Sequence, residues 1–304
     1  VGGLATPIGT PPNLITIGYL KELANIPIGF LPWMLIALPI TLAVFVVVSL
    51  TLRLLFPWTE GRLEGVEAFL EQERSGLGPW TPGQRNTLLA FAMALTLWLA
   101  LGLAEFAPPQ AVWAAFLKEH LSEGTVALLA ALLLFLLPVD WRQGRFTLTW
   151  REAVEIDWGT LLLFGGGLAL GDLLFKTGVA SLLGQAILRG LGVRSAWGFT
   201  GLVTLLGTLF TEFTSNTAAA NMLIPVVLAT AREAGFDPLP AALGACLGIN
   251  LAFVLPISTP PNAIVYGSGR VPLTAMAKAG LLLDLFCWLT IWGLLRLLYP
   301  VWVI

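Results

Sequence analysis

Long apolar stretches alternate with short polar ones along this chain, and the lengths of the apolar stretches set the first expectation. Leu31 to Phe56, Thr87 to Leu103, Gly124 to Leu137, Trp158 to Phe175 and about 272–299 each match a membrane-crossing helix or most of one. Two shorter helical segments, Phe199 to Phe210 and Ala218 to Ala231, flank the polar run Thr211-Glu212-Phe213-Thr214-Ser215-Asn216-Thr217. Short helices around a polar tip predict a re-entrant hairpin over about 196–231. A broken helix is expected over about 239–268: Ala241 to Leu255, interrupted at Pro256 and resuming around Ala263 to Tyr266. The most polar stretch, Pro57 to Arg85, carries Glu60, Arg62, Glu64, Glu67, Glu71, Glu73 and Arg74 at the spacing of a surface helix that joins two membrane halves. The pattern predicts an all-α polytopic membrane protein.

The chain also repeats itself. Pro7-Ile8-Gly9-Thr10-Pro11-Pro12-Asn13-Leu14-Ile15 aligns with Pro256-Ile257-Ser258-Thr259-Pro260-Pro261-Asn262-Ala263-Ile264 at a constant offset of 249, with seven of the nine positions identical. A Thr-Pro-Pro-Asn core occurring twice in apolar surroundings points to internal duplication, an arrangement common in secondary transporters. The expected organisation is the end of a first repeat over 1–56, a polar linker over 57–85 and a second repeat over 86–304.

Composition removes the soluble alternatives. Of 304 residues, 57% are hydrophobic and 11% charged, and the mean hydropathy is +0.85, more apolar surface than a water-soluble core can bury. The net charge of −2 is uninformative in a membrane chain, and nothing in the sequence suggests nucleic-acid binding. Cys246 and Cys287 lie in apolar segments and read as small buried hydrophobes, and His120 sits in the polar connector Lys118-Glu119-His120. With no nucleophile, base or metal cluster, an enzyme is not expected. Arg142, Arg145 and Arg151 place the 140–157 connector on the cytoplasmic side.

A Pro-Pro pair inside an apolar segment frees backbone carbonyls that lipid cannot satisfy. Gly9, Thr10, Ser258, Thr259 and the Asn13 and Asn262 amides add neutral oxygens suited to a hard cation such as Na+. Ser215-Asn216-Thr217 opens the helix that continues through Ala218-Ala219-Ala220, so its hydroxyls and amides gather at a positive helix end where an anion can dock. No Lys or Arg occurs in 1–20, 206–231 or 248–269. An anion held there lacks a protein countercharge, which co-bound cations would supply. Glu212 is read as orienting backbone amides. Asp172 and Lys176 are read as an i, i+4 pair, and Gly165-Gly166-Gly167 as a helix-packing surface.

With Gly2 to Asn13, the Thr211 to Thr217 hairpin and Leu255 to Asn262 together, the chain resembles the divalent anion/sodium symporter family, which carries dicarboxylates, citrate or sulfate. The resemblance implies inverted repeats, each with a re-entrant hairpin and a broken helix, a homodimer, and an elevator motion in a bacterial inner membrane. One Na+ site would use Thr211, Thr214, Asn216 and Ser258, and the other Gly9 and Thr10. Ser215, Asn216, Thr217, Thr259, Pro260 and Thr10 would meet the substrate. The first Ser-Asn-Thr hairpin is expected upstream of Val1. The alternatives are a Na+/H+ antiporter or an arsenite or anion exporter, for which Glu212 would carry the proton.

Overall fold

The computed structural model describes residues 1–57 and 65–302, apart from the side chains at 187, 191, 301 and 302. Glu60, Arg62 and Glu64 of the polar linker lie outside the described residues. The chain packs as two compact units, one of residues 1–28, 32–56 and 157–304, the other of 29–31 and 57–156.

In the second unit, α3 (Val66–Gly76) is the polar surface helix and has no buried residue. α4 (Pro82–Glu105) begins at a capping box. The Thr81 hydroxyl accepts from the Gln84 N–H at 3.2 Å, and the Gln84 side chain accepts from the Thr81 N–H at 2.9 Å. Pro82 sits in the first turn, where its missing N–H costs nothing. α5 (Val112–His120) and α6 (Glu123–Leu136) meet at a 75° bend. Lys118-Glu119-His120, expected in a connector, is therefore the last turn of a helix; Val112 to Phe116 gives it enough apolar surface to wind. The next connector also departs from an all-helical chain. β1 (Pro138–Asp140) and β2 (Arg145–Phe146) form a small antiparallel ribbon, turned by Gly144 in the left-handed region. α7 (Trp150–Ala153) follows. Inside this unit Phe30 stacks on Trp98 with ring centroids 5.1 Å apart, and the Phe30 N–H donates to the Glu123 carboxylate.

The first unit contains α1 (Pro11–Ala24), α2 (Phe30–Leu55, less its first two residues), α8 (Trp158–Lys176), α9 (Val179–Leu191), α10 (Ala196–Thr211), α11 (Asn216–Glu233), α12 (Pro238–Ile249), α13 (Pro260–Gly267) and α14 (Leu273–Trp302). Its centre is α12, buried continuously from Pro240 to Ile249. α10 lies flush against α12 because small residues meet there. A Cβ on Gly248 would collide with the Thr204 carbonyl, one on Gly244 with the Thr204 hydroxyl, and one on Gly207 with the Ala245 carbonyl. The hydroxyls of Thr200, Thr204 and Thr208 each donate to the carbonyl four residues back, at 3.0, 2.7 and 3.0 Å, so this dry contact leaves no hydroxyl proton stranded.

Of the Gly165-Gly166-Gly167 run, only Gly167 is a close contact, against the Asn221 side chain; Gly165 and Gly166 face open space. The packing surface of α8 instead continues at Gly171, against Tyr19 and Pro225. Asp172 and Lys176 pair at 2.7 Å, and both cysteines are buried and free. α9 has no counterpart in the hydrophobic pattern, because Gln185 and Arg189 interrupt its apolar face. Ser181 and Gln185 tie it to Glu233 on α11, each at 2.9 Å.

Among the described residues, four helices are long and apolar enough to cross a membrane: Phe30–Leu55, Pro82–Glu105, Trp158–Lys176 and Leu273–Pro300. The bent pair α5 and α6 would make a fifth.

Candidate functional site

Both Pro-Pro motifs start helices rather than kink them. Thr10, with φ −159° and ψ 146°, precedes α1, and Thr259, with φ −144° and ψ 151°, precedes α13. Prolines in the first two helical positions hold the required φ and remove two N–H groups that would otherwise lack partners.

The asparagine of each motif then reaches back over the chain before it. Asn13 Nδ2 donates to the carbonyls of Gly3 (2.9 Å) and Thr6 (2.8 Å). Asn262 Nδ2 donates to those of Ala252 (2.8 Å) and Leu255 (3.0 Å). Adding 249 to the first pair of acceptors gives the second pair, so the sequence repeat is also a repeat of hydrogen bonding. Two loops of irregular backbone are each closed by one carboxamide.

The second break begins earlier than Pro256. α12 ends at Ile249, and the chain stays unwound from Asn250 to Thr259. Glu212 is what holds it open. Its carboxylate accepts from the N–H groups of Val254 (3.0 Å) and Leu255 (3.1 Å), and from the Ser258 hydroxyl (2.7 Å). These donors are satisfied without a helix, so the helix can stop before any proline forces it to. The reading of Glu212 as an organiser of backbone amides matches this geometry.

α10 and α11 run antiparallel into the tip, where Ser215 caps α11 by accepting from the Ala218 N–H at 3.2 Å. Thr211 donates to the Asn216 side-chain oxygen at 2.7 Å, and Thr214 donates to the Phe210 carbonyl at 3.3 Å.

A cavity of about 310 Å³ lies where these pieces converge. Of the expected site residues, Gly9, Thr10, Asn216, Thr259 and Pro260 line it, together with Asn250, Ala252 and Asn262. Ser215, Thr217, Thr211, Thr214 and Ser258 are not among its lining. Ser258 is buried beside Glu212, and Thr211 and Thr214 brace the tip. Thr10, Asn216 and Thr259 are the capping or first residues of α1, α11 and α13, so three helix amino ends face one cavity, each carrying about half a positive charge. No Lys or Arg lines it.

The oxygen set fits a hard monovalent cation. Its lining offers the Thr10 and Thr259 hydroxyls, the Asn216, Asn250 and Asn262 amides and carbonyls of unwound backbone, while outside the lining the Thr211, Thr214 and Ser258 hydroxyls donate their protons elsewhere and keep lone pairs.

Asn250 was not anticipated. It donates at 3.0 Å to the Asn13 side-chain oxygen and at 3.0 Å to the Cys246 carbonyl, joining the end of α12 to the first break. Its only sequence signal is an amide at the end of an otherwise apolar helix.

A family model described as the sodium:sulfate symporter transmembrane region matches residues 1–304. Among curated relatives, a sodium-dependent dicarboxylate transporter, SdcS, of Staphylococcus saprophyticus is 32% identical over 287 residues, covering 94% of this chain and 54% of its own. A protein of the same name from Staphylococcus aureus is 31% identical over 292 residues, again covering 94% and 54%. The chain therefore spans about half the length of the relatives it matches.

Proposed function

The chain belongs to the sodium:sulfate symporter transmembrane-region family, a family of membrane transporters and not of enzymes, and on that premise we propose that it is part of a secondary transporter that moves a divalent anion with Na+. A C4-dicarboxylate is the preferred substrate, with citrate and sulfate as the other candidates. The observation that carries this reading is the convergence of three helix amino ends on a cavity lined by hydroxyls, amides and free backbone but by no Lys or Arg.

In such a cavity Asn216, Thr10, Thr259 and Pro260, with Ser215 and Thr217 at the tip, orient the carboxylates or sulfate oxygens through hydroxyl, amide and dipole contacts. The helix ends alone do not neutralise two full negative charges. Gly9 and Thr10 would hold one Na+, and Thr211, Thr214, Asn216 and Ser258 a second. Each lowers the cost of placing the dianion in a low-dielectric site. Na+ and anion thus stabilise one another's binding, which couples the two fluxes.

The family's description as a symporter and the sodium dependence in the relatives' names favour symport over the antiporter or exporter reading. Residues 1–56 would close a first inverted repeat and 86–304 form the second, joined by the 57–85 linker, in a homodimer working by an elevator motion.

Radiolabelled succinate uptake into proteoliposomes, with Na+ or K+ outside and citrate and sulfate as competitors, tests the reading. Uptake driven by Na+ and suppressed by a competing divalent anion is the expected result. Equal uptake in K+, or uptake driven by a pH gradient alone, would refute it.

A further inference from the structure

Asp284 sits in the middle of α14 at 5% exposure, and neither of its carboxylate oxygens meets a donor at hydrogen-bonding geometry. α14 is pressed onto the unwound stretch one turn earlier, where a Cβ on Gly280 would collide with the backbone of Phe253 and Val254. The groups that face Asp284 are the Glu212 carboxylate, the Phe253 backbone N–H and the Cys287 thiol.

Glu212, itself 3% exposed, uses one oxygen for Val254 and the other for Leu255 and Ser258. Two carboxylates therefore approach each other in the interior of a membrane segment. No Lys or Arg is present in 206–231 or 248–269, and the one on this part of α14, Lys278, lines a different pocket with Leu55 and Phe56. Two buried like charges with no compensating positive charge are costly.

We propose that Asp284 and Glu212 together bind a hard monovalent cation, at a position outside the cavity lining and additional to the two Na+ sites inferred above. Asp284 supplies two oxygens with all their lone pairs free. Glu212 supplies the remaining lone pair of the oxygen that accepts only from Val254, so the pair offers the carboxylate oxygens that such an ion takes. Such an ion ties α14 to the carboxylate that holds the second break open, so its presence favours the geometry of that break. The inference rests on the Na+-coupled reading above, to whose two sites it adds a third, and not on which anion is carried.

The test is the thermal stability of the purified full-length protein in chloride salts, with no dicarboxylate, citrate or sulfate present, as Na+ replaces choline at constant ionic strength. A bound ion raises the melting temperature in proportion to the logarithm of its concentration. In Asp284→Asn this rise, between ~1 and ~100 mM Na+, is expected to fall to about two-thirds or less of the wild-type rise as one of three sites is lost. Asp284→Glu, which keeps the charge, should retain most of it. Asp284→Ser repeats the comparison with a smaller side chain should Asp284→Asn not fold.

An unchanged Na+ dependence in both neutral variants would overturn the proposal. So would a variant that loses only the pH dependence of stability, the signature of a proton shared between the two carboxyls. Because no transported anion is present, either outcome leaves the uptake experiment to decide the transport reading separately.

Discussion

At the scale of single residues the site depends on side chains that do the work of missing secondary structure. Asn13, wholly buried, donates twice through one nitrogen, to the Gly3 carbonyl and to a Thr6 carbonyl that also accepts from the Gly9 N–H. Asn13→Ala strands the Gly3 carbonyl and removes one of the two carbonyl acceptors of the Asn250 amide. It should lower stability by about 1–3 kcal/mol and abolish uptake, read by thermal denaturation and by proteoliposome assay. Asn250→Ala removes only the bridge from α12, so a smaller loss of about 1 kcal/mol is expected, with the cavity kept. The sequence made Asn13 and Asn262 visible through their repetition. It could not reveal Asn250, whose partner lies 237 positions away, or the donors to the Glu212 carboxylate, which depend on the chain returning past the hairpin tip.

At the scale of elements, apolar length identified the spans and missed what lies between them. The hairpin helices and the last span were legible because each is a continuous apolar run. α9 was not, since its polar residues find partners on α11, information no local window contains. The start of the second break was misplaced for a related reason. Proline is a visible stop, whereas a carboxylate that satisfies Val254 and Leu255 acts through space.

The α10 and α12 contact gives a direct test of element packing. Gly248→Ala puts a methyl into the Thr204 carbonyl and should cost about 1–3 kcal/mol, while Gly166→Ala, in open space, should be nearly neutral. Thermal denaturation of the two variants side by side checks both. Outside the spans, Asp157 caps α8 by accepting from the Thr160 N–H at 3.0 Å. The Thr160 hydroxyl, ahead of that N–H, holds the carboxyl below its ordinary range. A depressed folded pKa means the cap contributes above the ordinary carboxyl pKa and is lost as pH falls below it, ~4. Protection of the first-turn amides of α8 relative to their intrinsic exchange rates should therefore fall at acid pH, and fall at neutral pH in Asp157→Ala.

At the scale of the whole molecule, the family and the membrane setting were legible early, because extreme apolar composition and a duplicated polar motif are global properties. Which anion is carried was not, since hydroxyls, amides and helix dipoles accept carboxylate and sulfate alike. The homodimer is expected to appear in detergent solution as a particle of twice the protomer mass by light scattering with multi-angle detection; a monomer at that measurement would contradict the proposed assembly.

The two asparagine clamps also say something about inheritance. Each spans ten positions from its farthest acceptor to its amide and takes nothing from outside that stretch to close its loop. A duplication that copied that short cassette intact would suffice to give a second break, with surroundings free to differ, one copy braced by Asn250 and the other by Glu212.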